Sequence, residues 1–312
     1  MTEVIVAEGL RRTFGSFVAV EGATFRVAAG EIFGFLGPNG AGKTTTIKML
    51  TGLLRPTAGT GRVAGLDLQA EGRAVRSRLG YMSQKFSLYG DLTVAENIAL
   101  FAGLYGVSGE RLVARRAWVL EMAGLAGQDR RLTGELSLGW KQRLALGCAV
   151  LHEPAVLFLD EPTSGVDPLS RRRFWALINE LADAGTAIMV STHFLEEAEY
   201  CHRVALMNRG RLIALDQPAA LRGRMPEPLL SLETSDAPRA VNLLRGAPGV
   251  IEASMYGRAV HVVVADEGGA RSQLPSLLAE GGVALGGLRR IPPSLEDVFV
   301  DLVRREGGAV AG

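Results

Sequence analysis

The chain has 312 residues, which is long enough for two domains that each bury a core. Its 34 lysines and arginines nearly balance 33 aspartates and glutamates, so the net charge gives no reason to expect a nucleic-acid partner. The N-terminal segment MTEVIVAEGL does not resemble a signal peptide, and no apolar run reaches the roughly 18 residues that a membrane-spanning helix needs. We therefore expect a soluble, cytoplasmic protein that reaches any membrane through a partner.

Strand-like and helix-like segments alternate along the N-terminal part of the chain. The segment FRVAAGEIFGFLG contains two strand-like runs, and the second leads into the helix-like PNGAGKTTTIKMLTGL. Further on, AVLFLDEP and TAIMVSTH suit buried parallel strands, RRRFWALINELADAG is helical, and RVALMNRGRLIALD reads as a hairpin around Arg209 and Gly210. This alternation predicts an α/β core with a mainly parallel sheet.

Residues from about 86 to 150 interrupt that alternation. The segments TVAENIALFAGLYG and RLVARRAWVLEMAGL are helix-like, and no convincing strand lies between them. We expect an inserted helical subdomain here. The two cysteines, Cys148 and Cys201, lie in apolar surroundings without the spacing of a metal site, so we expect buried free thiols and a reducing compartment.

The prolines of RGRMPEPLLSLET mark a boundary, which we place between domains of residues 1–224 and 225–312. The pattern beyond it predicts strand 229–234, helix 237–246, strands 249–256 and 259–265, helix 269–281, strand 283–290 and helix 294–305. The first six of these elements have the βαββαβ order of a small α+β ferredoxin-like fold.

The segment GPNGAGKT, from Gly37 to Thr44, fits the G-x-x-x-x-G-K-[ST] pattern of a phosphate-binding loop. It follows the apolar strand IFGFL and opens a helix, which is the context that such a loop requires. Glycines let backbone N–H groups close around phosphates, Lys43 can reach the outer phosphates, and the Thr44 hydroxyl can hold Mg²⁺. The alternative, a chance glycine turn, leaves the flanking strand and helix unexplained.

Two carboxylates end the apolar run LFLDEP. Asp160, at the end of the strand, can bind the water shell of Mg²⁺, and Glu161 can polarise an attacking water molecule. The alternative is a pair of strand-end carboxylates that only cap the next turn.

Three further polar residues stand at the ends of elements. His193 ends the strand AIMVST and opens the helix-like FLEEAEY, near the expected place of a γ-phosphate; the alternative is a surface cap. Gln84 follows a short strand at the entry to the helical insert. Ser137, in GELSLGWKQR, can cap a second helix whose N-terminus attracts anions.

In order, the segments GPNGAGKT, MSQ, LSLGWKQR, LFLDEP, SGVD and STH resemble the motif series of an ABC-transporter ATPase subunit over roughly residues 3–222. The C-terminal segment PPSLEDVF is similar to the tail of bacterial export-type subunits associated with drug resistance and antibiotic export. The resemblance implies a P-loop NTPase core with an antiparallel β subdomain and a helical insert, and it implies ATP and Mg²⁺ as ligands.

The resemblance also implies roles for individual residues. Phe14 would stack on adenine, its alternative being an ordinary core phenylalanine. Gln84 would contact Mg²⁺ or water and sense the membrane partner, and His193 would contact the γ-phosphate. The implied catalytic residues are Lys43, Glu161 and His193, and the implied Mg²⁺ ligands are Thr44, Gln84 and Asp160. The implied nucleotide-binding residues are Phe14, Gly37, Pro38, Asn39, Gly40, Ala41, Gly42, Lys43, Thr44, Thr45, Gln84, the signature-loop residues Ser137 and Gly139, and Asp167 at the subunit junction.

The signature loop departs from the family's usual Leu-Ser-Gly-Gly-Gln. Leu138 replaces the first glycine, and Trp140 stands where the glutamine is common. If the first glycine needed a positive φ angle, Leu138 would restrict it, and closure around ATP would be weakened although the fold would not.

In this family the signature loop of one subunit covers the ATP held by the phosphate loop of the other. The resemblance therefore implies a head-to-tail dimer, with a second copy or a related subunit, that drives a separate integral membrane permease from the cytoplasmic face of the cell membrane. Its cargo would be a drug, an antibiotic or another hydrophobic compound.

Two alternatives stay open from the sequence. One is a soluble regulatory ATPase of the same superfamily that acts on the ribosome or another assembly; a single ATPase unit and near-neutral charge favour transport over it. The other is a mainly regulatory chain with a ligand-sensing C-terminal domain. That domain shows no obvious ligand constellation, which favours a role in stabilising the dimer.

Overall fold

The computed structural model describes residues 2–84 and 88–305. The chain divides into two compact units, Met1–Pro218 and Ala219–Gly312. Residue 86, the expected start of the helical insert, and residues 306–312 lie outside the described residues. The prolines that suggest a boundary after residue 224 lie inside the second unit, so the domain limits 1–224 and 225–312 stay a prediction.

The strands of the first unit are β1 (Glu3–Phe14), β2 (Phe17–Ala28), β3 (Ile32–Leu36), β4 (Ala58–Val63), β5 (Leu66–Asp67), β6 (Leu79–Met82), β7 (Val156–Asp160), β8 (Ala187–Thr192), β9 (Arg203–Asn208) and β10 (Arg211–Asp216). Among the described residues, one sheet is antiparallel with the order β2-β1-β4-β5. The other has the order β10-β9-β3-β8-β7-β6, and its neighbours are parallel except for β10, which pairs antiparallel with β9. The antiparallel β subdomain and the mainly parallel sheet are thus both confirmed.

The strands at the centre of the larger sheet follow from their composition. IFGFL, VLFLD and AIMVST are buried along their whole length, as parallel strands covered on both faces must be. The predicted hairpin is also confirmed, because β9 and β10 are joined by Arg209 and Gly210, which both have the positive φ angle that a tight two-residue turn needs.

The helices of the first unit are α1 (Lys43–Leu50), α2 (Gly72–Arg78), α3 (Val94–Leu104), α4 (Gly109–Ala123), α5 (Leu138–Ala149) and α6 (Pro168–Asp183), with short 3-10 helices at Thr133–Glu135 and Leu195–Tyr200. Helices α3, α4 and α5 share a hydrophobic core of their own, which includes Ile98, Val119 and Leu144. The predicted helical insert is confirmed in the described residues. A separate core lies with the two sheets, where Phe25 packs against Phe33 and Phe35.

The segment after His193 differs from its prediction. His193 lies in a bend, and the following Leu195–Tyr200 forms a 3-10 helix without a capping side chain. The hydroxyl of Thr192 instead accepts a hydrogen bond from the backbone N–H of Phe194 at 3.0 Å, which turns the chain locally. A helix therefore follows His193 as predicted, but it is a short 3-10 helix that begins at Leu195 and not at His193.

The remaining elements are α7 (Pro218–Arg222), which spans the division between the units, and β11 (Leu229–Thr234), α8 (Ala237–Leu244), β12 (Val250–Tyr256), β13 (Ala259–Val264), α9 (Glu267–Glu280), β14 (Leu285–Arg290) and α10 (Leu295–Arg305). The sheet of the second unit has the order β12-β13-β11-β14 with antiparallel neighbours. This is the ferredoxin-like topology that the sequence predicts. Helix α9 begins two residues earlier than expected, because Asp266 caps it by accepting from the N–H of Gly269.

Helix α10 follows the βαββαβ unit. The Val260 and Val262 side chains belong to the core with α8 and α9, whereas His261 between them alternates to the opposite face. There the His261 Nδ1 atom lies 2.8 Å from a carboxylate oxygen of Asp297 on α10.

No helix in residues 2–84 and 88–305 has the length and apolar character that crossing a membrane requires. Cys148 and Cys201 are free and buried, as the sequence predicts.

Candidate functional site

The glycine-rich loop connects the end of β3 to the start of α1. Gly37 has a φ of +154°, and a Cβ atom there would lie 2.1 Å from the carbonyl oxygen of Met207. Gly42 has a φ of +107°, and a Cβ atom there would lie 2.6 Å from the carbonyl oxygen of Ala19. Both positions therefore require glycine, so the loop is held tightly against neighbouring backbone at the N-terminus of a helix.

The other residues of the predicted loop lie in the same turn: Pro38, Asn39 and Gly40 are exposed, Ala41 is buried, and Thr44 and Thr45 are partly buried in the first turn of α1. The structure thus assembles the whole loop predicted from the sequence at the end of the sheet.

Lys43 is a buried cation at the start of α1. Its Nζ atom donates to the carbonyl oxygens of Gly37 at 2.7 Å and Pro38 at 3.2 Å, and lies 3.7 Å from a carboxylate oxygen of Glu161. Burial lowers the pKa of the lysine, and the charges of Glu161 and Asp160 act against that shift. The ammonium group is therefore fixed beside the loop, where it can meet an anion.

Asp160 ends β7 and accepts two hydroxyl hydrogen bonds on the same carboxylate oxygen. Thr44 donates to that oxygen at 3.1 Å and Ser191, on β8, donates at 2.5 Å. The hydroxyl–carboxylate pair of Thr44 and Asp160 is the set of hard oxygen donors that Mg²⁺ prefers, so these residues fit the metal that the sequence implies.

Glu161 has a φ of +49°, a left-handed conformation that non-glycine residues rarely adopt. Its backbone N–H donates to both the carbonyl oxygen of Ser191 at 3.0 Å and the Ser191 hydroxyl at 3.1 Å. This strained backbone places the buried Glu161 side chain beside Lys43.

Two residues from distant parts of the chain meet at the Glu161 carboxylate. The side-chain amide of Gln84 donates to one carboxylate oxygen at 2.8 Å, and the Nδ1 atom of His193 lies 3.3 Å from the same oxygen. The structure therefore brings together Lys43, Thr44, Gln84, Asp160, Glu161 and His193.

Ser191 is the residue of this site that the sequence analysis missed. It lies in the quoted segment STH, and β7 and β8 pair so that Ser191 stands directly beside Asp160. The sequence does show a hydroxyl at the end of a buried strand. It does not show that this strand lies beside β7, because that depends on the order of strands in the sheet.

Ser137, Gly139 and Asp167 form a second cluster, where the N-termini of α5 and α6 meet. Ser137 caps α5 by accepting from the N–H of Trp140 at 3.5 Å, and Asp167 caps α6 by accepting from the N–H of Ser170 at 2.9 Å. A Cβ atom on Gly139 would lie 2.6 Å from the Ser170 hydroxyl, so glycine permits this close packing. Among the described residues, no hydrogen bond or ion pair joins this cluster to Lys43 or Glu161.

Leu138 is the first residue of α5 and does not have a positive φ angle. The backbone restriction considered for Leu138 therefore does not arise in this structure, because the position is helical.

Phe14 lies at the end of β1 with 48% of its surface exposed, which excludes the alternative of a core phenylalanine. The guanidinium group of Arg12 lies over its ring, 4.6 Å from the ring centre. Among the described residues, no ring contact or cation–π pair joins Phe14 to the residues that meet around Glu161.

A glycine loop at a helix N-terminus, a buried lysine, and a hydroxyl–carboxylate pair next to a second carboxylate together define a P-loop nucleoside triphosphatase. Residues 20–164 match the family model described as ABC transporter. A solved structure described as the ATP-binding subunit of an ABC transporter superposes with a TM-score of 0.65 at 32% identity, covering 71% of this chain and 92% of that one.

Relatives of known name extend the likeness to the C-terminal unit. The "Daunorubicin resistance ATP-binding protein DrrA2" of Streptomyces coeruleorubidus is 37% identical over 303 residues, which cover 95% of this chain and 94% of that protein. The "Probable multidrug ABC transporter ATP-binding protein YbhF" of Escherichia coli is 52% identical over 221 residues, or 71% of this chain, but the chain spans only 38% of that relative's length. The chain belongs to the family of ABC-transporter ATP-binding subunits, and its enzymatic activity is ATP hydrolysis.

Proposed function

We propose that this chain is the ATPase subunit of an exporter, in which two ATPase subunits close around two ATP molecules and drive a separate membrane permease. The observation that supports it best is the meeting of Gln84 and His193 on Glu161, beside Lys43. That arrangement provides a carboxylate for water and two flanking groups that can respond to the outermost phosphate.

In the proposed mechanism, backbone N–H groups of the phosphate loop and the Lys43 ammonium bind the phosphates of ATP. Glu161 accepts the proton of the attacking water, and Gln84 and His193 orient the Glu161 side chain and the γ-phosphate. Thr44 and Asp160, with Gln84, would hold Mg²⁺, which when bound would neutralise charge on the phosphates. Phe14, exposed at the end of β1, stacks on the adenine.

The second cluster serves the other subunit in this proposal. The N-terminus of α5 carries Ser137, whose contacts lie within its own helix, and this end is available to an anion from outside the chain. Ser137 and Gly139 would cover the ATP of the partner, and Asp167 would lie at the junction of a homodimer or of a dimer with a related ATPase subunit.

The cargo we propose is a drug, an antibiotic or another hydrophobic compound, because relatives bear the names of multidrug transport and daunorubicin resistance. The chain would bind the cytoplasmic face of the cell membrane through the permease, and we expect no nucleic-acid partner.

The test is Glu161→Gln. Because the amide cannot accept the proton of water, we expect kcat for ATP hydrolysis to fall by about 10²–10⁴-fold while ATP still binds. Phosphate release measures the first quantity and calorimetric titration the second. The exposed Glu110→Gln on α4 is the control and should behave like the wild type. Wild-type turnover in Glu161→Gln would remove this residue from the catalytic role.

A further inference from the structure

A fully buried carboxylate lies outside the group of residues that meet at Glu161. Glu197 is 0% exposed, although it belongs to the short 3-10 helix Leu195–Tyr200 just after His193. Burying a carboxylate is strongly unfavourable unless partners compensate it, so the contacts of Glu197 show which segments it holds.

The partners of Glu197 come from two other segments. One carboxylate oxygen accepts a hydrogen bond from the hydroxyl of buried Thr163, and the same oxygen lies 3.5 Å from the Nε atom of Arg171 on α6. The other carboxylate oxygen is buried and has no hydrogen-bond partner among the described residues. Glu197 is therefore held from one side only, by the loop after β7 and by the first turns of α6.

Thr163 belongs to the loop that begins with Glu161. The loop is compact, since the N–H of Ser164 donates to the carbonyl oxygen of Glu161 at 3.3 Å and the N–H of Val166 donates to that of Thr163 at 3.2 Å. Glu197 thus anchors the loop that runs from Glu161 to the cap of α6.

Arg171 extends the contact back to His193. Its guanidinium lies 4.7 Å from the ring centre of Phe194, and the Phe194 ring lies 4.1 Å from that of His193. His193 in turn lies 3.3 Å from Glu161. A continuous series of contacts therefore runs from Thr163, in the Glu161 loop, through Glu197, Arg171 and Phe194 to His193, which in turn contacts Glu161.

We propose that Glu197 is a positioning residue that fixes His193 relative to the Glu161 loop, so that the site distinguishes a nucleoside triphosphate from a diphosphate. The proposal rests on the function proposed above, in which His193 contacts the γ-phosphate. Glu197 itself touches no nucleotide; it acts through Thr163 and Arg171, and the position of His193 depends on it.

The test compares the affinities of the whole chain for ADP and for a non-hydrolysable ATP analogue, measured by calorimetric titration. In Glu197→Gln and in Thr163→Val, we expect the preference for the triphosphate to fall about threefold or more, while ADP affinity stays close to that of the wild type. The matched control is Glu196→Gln, an exposed glutamate on the same 3-10 helix, which should keep the wild-type preference. A residue that only stabilises the fold would lower both affinities together.

A double variant completes the test. His193→Ala should lower the triphosphate preference by itself, and adding Glu197→Gln should lower it little further, because both act on one contact. If His193→Ala leaves the preference unchanged, the role proposed for His193 is wrong and this inference falls with it. If His193→Ala lowers the preference but Glu197→Gln and Thr163→Val do not, only this inference is overturned. Should Glu197→Gln fail to fold, Thr163→Val decides between these outcomes.

Discussion

At the scale of single residues, one hydroxyl contacts both acidic residues of the site, the side chain of Asp160 and the backbone of Glu161. Ser191 donates to Asp160 and accepts from the N–H of Glu161, whose left-handed backbone it helps to hold. The lysine and both acids could be predicted from the sequence, because they lie within continuous motifs. Ser191 could not, because its role comes from the pairing of β7 with β8.

We predict that Ser191→Ala lowers the free energy of unfolding by about 1–3 kcal/mol, because it removes a buried partner of both acids. It should also lower kcat and raise the Mg²⁺ concentration that gives half-maximal activity. Thermal unfolding and phosphate release measure these effects. Thr192→Ser, which keeps its hydroxyl at the neighbouring position, is the control. A Ser191→Ala enzyme with unchanged Mg²⁺ dependence would show that the hydroxyl does not position Asp160.

At the scale of secondary-structure elements, the sequence predicts which segments are helices and strands, because periodicity and glycine positions are local. It does not predict how their ends pack. In the helical insert, Tyr105 at the end of α3 stacks on His152, which follows α5, with ring centres 3.7 Å apart. Burial lowers the pKa of His152 to about 4, helped by the positive charges of Arg111 and Arg115.

This histidine makes the stability of the insert depend on pH. Between its ordinary pKa of 6.5 and about 4, the unfolded chain binds a proton that the folded His152 does not bind. Stability from His152 is therefore full above about pH 6.5 and is lost as the pH falls towards 4. We predict that His152→Phe, which keeps the stacking but cannot titrate, loses less thermal stability between pH 7 and pH 5 than the wild type. An equal loss in both proteins would contradict the prediction.

At the scale of the whole molecule, the two helix N-termini that attract anions belong to two separate clusters of the first unit. Lys43 faces Glu161, whereas Ser137 contacts its own helix α5 near Asp167 and Ser170. Because the two N-termini lie in separate clusters, the dimer that we propose assigns the second one to the ATP of a partner subunit.

Mixing two inactive variants tests that assignment. In the dimer that we propose, Lys43→Ala would remove a phosphate ligand and Ser137→Ala would remove a hydroxyl directed at the partner's ATP, so each homodimer would have two defective sites. In a mixed dimer one site carries both defects and the other carries none. We predict that mixing restores ATPase activity, up to about half per mixed dimer if the sites act independently. If Ser137→Ala alone hydrolyses ATP and dimerises in ATP like the wild type, the serine is only a helix cap.

The sequence by itself determined the phosphate loop, the pair of acids, the types of most elements and the ferredoxin-like order of the C-terminal unit. These features depend on neighbouring residues, through backbone conformation and the alternation of apolar side chains. Only the tertiary structure decided that Gln84 and His193 meet on Glu161, that Leu138 needs no positive φ angle, and that Glu197 is buried against Thr163. These facts depend on which strands and helices lie side by side, and that order is set by burial of the whole core rather than by any local pattern.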